Sequence, residues 1–214
     1  YKDVTPIAGL TKDYAAIIVK ADSPYKDLKS LVDAIKADSS KVSIGGGSSP
    51  GSLDHLSAML PFFKAGVDVT KVKYLPHDGG GEAMTALLGG NLAAISSDVS
   101  SVGENLKAGK IRVLGISAPE RIAGLDVPTF KEAGIDGAEF VIWRGVFGPK
   151  DMSKNAQAFW SKAFADLSAK PEWAAELKTQ GWEADYKDAA AFTTYLGQQE
   201  ALLKELLTAL QMAK

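Results

Sequence analysis

Between residues 14 and 116 the chain alternates short strand-like runs with helix-like runs, joined by connections of a few residues. Residues 14–20 (YAAIIVK) read as a strand. Ser23 then offers an N-cap with Pro24 at the first helical position, and Leu28, Leu31, Val32 and Ile35 follow at helical spacing. Residues 42–44 are a short apolar strand, GGGSSPGS follows, and Leu56, Met59, Leu60 and Phe63 mark one face of the next helix. Residues 69–75 give another strand, and a short helix with Met84, Leu87 and Leu88 is stopped by Gly89-Gly90. Strand 92–96, helix 99–106 and strand 111–116 complete the series. Short, largely apolar strands need cover on both faces. The pattern therefore predicts an α/β layer fold with a parallel or mixed, mostly parallel, sheet and flanking helices. Ligands in such sheets sit beyond the carboxyl ends of the strands, which singles out loops 45–52, 76–81 and 96–98.

The last third reads differently. Residues 139–147 (EFVIWRGVF) resemble one more strand, and after Pro149 the pattern is almost entirely helical. One helix carries Phe159, Trp160, Ala163, Phe164 and Leu167, and a second begins near Pro171 with Trp173 and Leu177. A third runs from near Asp188 with Phe192, Tyr195, Leu196, Leu203, Leu206 and Leu210. Each has an apolar face that needs cover. The helices either bundle together or pack on a sheet whose other strands lie outside this chain.

Composition removes several function classes. The sequence has no cysteine, so thiol nucleophiles, disulfides and cysteine metal sites are excluded. Its 24 Lys and Arg are scattered among 26 Asp and Glu, for a formal net charge of -2. That describes a solvated surface, without the basic stripe that nucleic acid requires. No apolar run approaches the roughly 18 residues of a spanning helix, so direct membrane insertion is not expected. No signal-peptide pattern opens the chain.

The loop Gly45-Gly46-Gly47-Ser48-Ser49-Pro50-Gly51-Ser52 joins a strand to a helix. Glycines permit positive φ and close backbone approach, serines add hydroxyl donors, and the helix start offers unpaired N–H groups. Together these can hold a carboxylate or phosphate without metal. A plain tight turn with a serine N-cap is the simpler alternative, though eight residues with four glycines exceed what that needs. The segment 47–51 also fits G-x-S-x-G, which would make Ser49 the nucleophile of an α/β enzyme acting on a small carboxylate or phosphate ester. Against it, Pro50 has no N–H to supply half an oxyanion hole, and His77 comes too early to complete a Ser, Asp, His order. A nucleotide P-loop lacks its Lys-Ser/Thr ending.

The remaining candidates surround this loop. His55 lies in the first turn of the following helix, as a ligand contact or as a satisfied structural histidine. His77, Asp78 and Gly79 form the second loop, and Ser97 and Asp98 close the third. Asp54, His55, His77 and Asp78 lack the short fixed spacing of a zinc motif, so no metal or cofactor is expected. Arg144 sits inside an apolar strand and needs either a buried partner or a bound anion. The candidate ligand-binding set is Gly47, Ser48, Ser49, Gly51, Ser52, His55, His77, Asp78, Gly79, Ser97, Asp98 and Arg144.

Four stretches together resemble the substrate-binding receptors of tripartite tricarboxylate transporters. They are GGGSSPGSLDHL (45–56), AGVDVTKVKYLPHDGGGEAMTALLGGNLAA (65–94), LKAGKIRVLGISAPERIAGLDVPTFKEAG (106–134) and WRGVFGP (143–149). Family members resemble G-G-G-S-x-G-G-[ST]-x-D-H in the first and Y-x-P-[FYH]-x-G-G-G-E-A in the second. They resemble V-P-T-x-x-E-x-G in the third. The resemblance covers nearly the whole chain. It implies a two-lobed periplasmic-binding-protein-like fold, no catalysis, and capture of a small organic di- or tricarboxylate. It also implies presentation to the membrane subunits of the transporter and an extracytoplasmic location with a signal sequence outside this chain. Gly47, Ser48, Ser49 and Ser52, and the loop 77–80, carry over as ligand-loop positions. Pro50 departs from the family's usual Gly or Ala and removes one backbone donor. Against the family's length the N-terminal third is lacking. Residues 11–135 are then expected to form the complete second lobe, and residues 1–10 and 136–214 the crossovers and the returning part of an incomplete first lobe. If residues 1–214 are the entire chain, it is expected to bind ligand weakly or not at all as a monomer, with half the cleft missing, and self-association through the incomplete lobe is a further expectation.

Overall fold

The computed structural model describes residues 2–213. The chain divides into two compact units, one of Tyr14–Val141 with Lys204–Lys214, the other of Tyr1–Asp13 with Ile142–Leu203.

The larger unit carries the expected alternation. Strand β1 (Val4–Lys20) enters it at Tyr14. Helix α1 (Leu28–Ala37), strand β2 (Ser43–Gly46), helix α2 (Leu53–Lys64) and strand β3 (Lys73–Pro76) follow. Helix α3 (Gly80–Leu88), strand β4 (Ala94–Asp98), helix α4 (Gly103–Lys107) and strand β5 (Ile111–Ile116) complete the series. The strand order is β3-β2-β4-β1-β5. β2 is parallel to β3 and to β4, with Gly46 opposite Pro76 and Gly45 opposite Ile95. β1 runs antiparallel to both β4 and β5, so the sheet is mixed where the sequence suggested mostly parallel. Apolar runs look alike in either direction, and only the partners decide.

Both faces are covered, as the apolar strands require. Tyr14, Ala16 and Ile18 of β1 and Ile95 of β4 cluster with Ala83, Met84 and Leu87 of α3 and Val102 before α4. Alternation sends the neighbouring strand residues to the opposite face. There the Ser96 hydroxyl lies 2.8 Å from that of Ser57 on α2.

Several element boundaries differ from the sequence pattern for local reasons. α1 starts at Leu28, because Asp27 is its N-cap and accepts from the Ser30 N–H at 2.7 Å in a capping box; Ser23 instead accepts from the Tyr25 N–H. Val69–Lys71 is a 3₁₀ turn, its Asp68 cap accepting from Thr70 N–H, which leaves only Lys73–Pro76 for the strand. Val99–Ser101 is likewise 3₁₀, and α4 is shorter than expected.

The smaller unit contains the start of β1, strand β6 (Val141–Pro149, from Ile142 onward), helices α5 (Lys154–Ser168) and α6 (Pro171–Gln180), strand β7 (Glu183–Lys187) and most of helix α7 (Ala189–Ala209). β1 pairs with β6, and antiparallel with β7 through Gly9 opposite Lys187 and Lys12 opposite Glu183. The C-terminal helices thus have strands of this chain in their own unit. The sequence missed β7 because EADYK is polar and exposed along most of its length, and missed the start of β1 because Pro6 and Gly9 dilute its strand signal. Leu177, Phe192 and Leu196 are buried, and Trp143 packs edge-on against Phe192 with ring centroids 5.5 Å apart.

Among the described residues no helix is long and apolar enough to cross a membrane. No group of three or more His, Asp or Glu among them lies close enough to hold a metal ion.

Candidate functional site

The three loops at the carboxyl ends of β2, β3 and β4 meet. The tightest point is Gly47. A Cβ placed there would lie 2.3 Å from the Gly79 carbonyl carbon and 2.3 Å from the Gly80 nitrogen, so only glycine lets the first two loops touch backbone to backbone. The His77 N–H donates to the Gly46 carbonyl at 2.9 Å, which extends the β2–β3 pairing into the loop. From Gly80, a Cβ would face the Ser97 hydroxyl at 3.6 Å, which brings in the third loop.

Much of the first loop's hydrogen-bonding capacity is already used internally. The Asp54 N–H donates to the Ser48 hydroxyl at 3.0 Å. The Asp54 carboxyl, in the first turn of α2, lies beside the Gly47 N–H and the Ser48 hydroxyl, both of which favour its charged form. Burial lifts this carboxyl above the ordinary aspartate range, against those two donors, which pull it down. The Tyr74 hydroxyl donates to the Ser48 carbonyl at 2.8 Å. Burial, helped by the nearby Asp54 charge, pushes that phenol up to about 12, so it remains a donor at any physiological pH.

His55 is buried and tied into the loop. Its Nδ1 accepts the Gly51 N–H at 2.9 Å, and its ring packs on Tyr74 with centroids 4.5 Å apart. Accepting at Nδ1 requires the neutral ring with its proton on Nε2. Gly51 has φ +82°, a left-handed conformation that favours glycine and turns the chain into α2.

Burial holds His55 below the ordinary histidine range. A depressed folded value means that the unfolded chain takes up the proton first. The neutral-ring contribution is therefore fully present above the unfolded value and is lost as pH falls toward the folded one. We expect stability against urea to fall as pH drops below about 6.5, with a slope of up to about 1.4 kcal/mol per pH unit from this group. In His55→Asn, whose side-chain oxygen can replace Nδ1, that component should be flat. Parallel urea titrations between neutral and mildly acidic pH check this, and identical slopes in the two proteins count against it.

The groups facing outward are fewer than the sequence suggested. Ser49 and Ser52 are exposed, and Ser52 is the N-cap of α2 without using its side chain as a cap. In the second loop Gly79 is the N-cap of α3, and Gly80 and Gly81 open its first turn. The Asp78 N–H is held by the Glu82 carboxylate at 3.2 Å, and Nδ1 of His77 lies 3.1 Å from the Leu75 carbonyl. In the third loop the Ser97 and Ser101 hydroxyls are 2.9 Å apart, and Ser101 donates to the Asp98 carbonyl at 2.7 Å. Arg144 belongs to the other unit, where its guanidinium carbon lies 3.9 Å from the centroid of the Trp182 ring.

So the structure gathers Gly47, Ser48, Ser49, Gly51, Ser52, His55, His77, Asp78 and Gly79 on loops or helix starts of one unit, places Ser97 and Asp98 at the end of its strand β4 where a loop was expected, and puts Arg144 in the other unit. Within that set the hydroxyl of Ser48, the N–H of Gly51 and Nδ1 of His55 hold the loop together. Sequence reasoning names Asp54 only for a hydrolase or zinc site and gives Tyr74 no role. Both are the anchors of the loop. The D-H pair after the glycine run is the signal that could have pointed to Asp54.

This geometry sets two glycine-rich loops against each other at helix starts. A model of the tripartite tricarboxylate transporter family receptor matches residues 1–212. The chain belongs to this receptor family. A solved TctC solute-binding protein from Polaromonas is 30% identical, covers 97% of this chain and superposes with a TM-score of 0.76. MatC from Rhodopseudomonas palustris, solved with bound malate, is 22% identical over 95% of this chain with a TM-score of 0.82, a likeness of fold. Among curated relatives, the UPF0065 protein in the tcbD-tcbE intergenic region of Pseudomonas sp. (strain P51) is 28% identical over 84% of this chain. The chain spans 53% of that relative's length, and 70% and 69% of the two solved chains. The fold is that of the periplasmic-binding-protein-like α/β receptors. These proteins are transport receptors and not enzymes, which overturns the nucleophile reading of Ser49.

Proposed function

We propose that this chain is the carboxylate-holding part of an extracytoplasmic solute receptor, which captures a small di- or tricarboxylate and presents it to the membrane subunits of a tripartite transporter. The observation that carries the reading is the contact of Gly47 with Gly79 and Gly80. It brings the loop that carries the exposed Ser49 and Ser52 against the first turn of α3 at the carboxyl ends of β2 and β3. Hydroxyls and unpaired helix-start N–H groups are donors that a carboxylate's oxygens can accept from. Asp54 already neutralises the start of α2. Glu82 stands in the same place at the start of α3, so the two outward serines and the loop N–H groups, and not a helix dipole, are the principal donors. Family membership supports the extracytoplasmic location, and the malate held by MatC suggests the ligand size.

Titration of the ¹⁵N-labelled chain with malate, adipate and citrate tests this. The amides of Ser49, Ser52, Gly80, Gly81 and Ser97 should shift together with one saturation curve. Saturable shifts confined to other surfaces, or none with any of the three acids at millimolar concentration, would refute the proposal.

A further inference from the structure

The segment from Lys204 onward leaves the smaller unit and belongs to the larger one, where it reaches the ligand loop. Glu205 pairs with Lys64 at the end of α2 at 2.9 Å, and Leu206 is buried. α7 then closes in a left-handed turn. Gln211 has φ +58°, uncommon for a residue with a side chain, and the Met212 N–H reaches back to the Leu207 carbonyl at 2.8 Å. This turn delivers Met212 onto Gly51. The Met212 methyl lies 3.1 Å from where a Gly51 Cβ would stand, with the sulfur at 4.0 Å.

We infer that Met212 is a positioning residue for the ligand loop, a half-exposed side chain whose methyl holds Gly51 in its left-handed turn and so steadies the Gly51–His55 hydrogen bond. The loop has reason to need one. Ser49 and Pro50 are exposed, and Gly51 is itself the residue with the widest choice of backbone conformation. The turn is fixed by the Ser52 N–H donating to the Ser49 carbonyl at 3.0 Å and by the Gly51 N–H donating to His55. Methionine suits the task, because its unbranched thioether follows an irregular surface without demanding one rotamer. Ser52, the outward hydroxyl next in sequence, takes its direction from this turn. The inference about ligand affinity rests on the carboxylate reading above, but the inference about the loop does not.

The test is amide hydrogen exchange by NMR on the 214-residue chain without ligand. In Met212→Ala the Gly51 amide should exchange about three- to tenfold faster, while core amides such as Ile18 and Ile95 keep their rates. Met212→Leu should restore the protection. With malate as the probe, Met212→Ala should bind about three- to tenfold more weakly, and Met212→Leu like the parent. Unchanged Gly51 exchange in Met212→Ala overturns the inference, as does acceleration spread equally over the core, which would mean general destabilisation. If the parent chain binds none of the three acids, the carboxylate reading fails while Gly51 exchange still decides the role of Met212.

Discussion

Gly47→Ala is expected to break the site and to lower the stability of the larger unit by about 2–4 kcal/mol, through overpacking against backbone that cannot rotate aside. The added methyl would sit 2.3 Å from two backbone atoms of the Gly79-Gly80 turn. Far below contact distance, it forces either loop to move by more than an ångström. For a protein of this size the thermal midpoint should fall by roughly 5–12 °C. The control is Gly81→Ala. Gly81 lies in the first turn of α3 with open space around its Cβ position and no positive φ, so alanine there should be neutral or slightly stabilising. Thermal unfolding of the two variants side by side checks the claim. Equal midpoints would show that the two loops are not in contact.

Asp54→Ala should weaken the proposed carboxylate binding at least tenfold while leaving the fold intact. The Gly47 N–H and the Ser48 hydroxyl favour the charged form of its carboxyl, and removing that group takes a polar neighbour from both in a partly buried place. The expected loss is about 1–3 kcal/mol. It is offset in part because burial already disfavours the charged form of this group. The loop should therefore suffer more than the core. Near-native far-ultraviolet circular dichroism together with at least a tenfold loss of malate affinity is the expected pair of results, the loss corresponding to about 1.4 kcal/mol or more. Tyr74, which holds the Ser48 carbonyl, remains in place and keeps the loop near its course. Undiminished affinity in Asp54→Ala would show that the Gly47–Ser48 backbone needs no anchor.

Legibility varied with the range of the interactions. The apolar spacing of Leu28, Leu31, Val32 and Ile35 located α1, because one helix face is a local property. The start of that helix was misplaced because Ser23-Pro24 and Asp27 both offer capping chemistry, and the reciprocal hydrogen bonds of Asp27 and Ser30 win. β7 escaped notice because an exposed strand bordered by helices carries no apolar alternation; its identity comes from pairing with β1, about 175 residues earlier in the chain. The same holds within the site. The glycine-serine loop was visible as a possible cradle, yet nothing local says that the Ser48 hydroxyl faces Asp54 while the Ser49 and Ser52 side chains face solvent.

The sequence by itself determined the alternation of strands and helices in residues 14–116, the three loops at the carboxyl ends of β2, β3 and β4, and the glycines that make those loops flexible enough to meet. Periodicity and glycine content are properties of neighbouring residues, so they survive without a fold. Only the tertiary structure decided that β1 runs against β4 and β5, that Gly47 rests on Gly79 and Gly80, and that Tyr74 and His55 hydrogen-bond the loop from within, beside Asp54. Those outcomes depend on which hydrogen-bond donors find acceptors across the fold, and a buried donor takes the partner that packing brings to it.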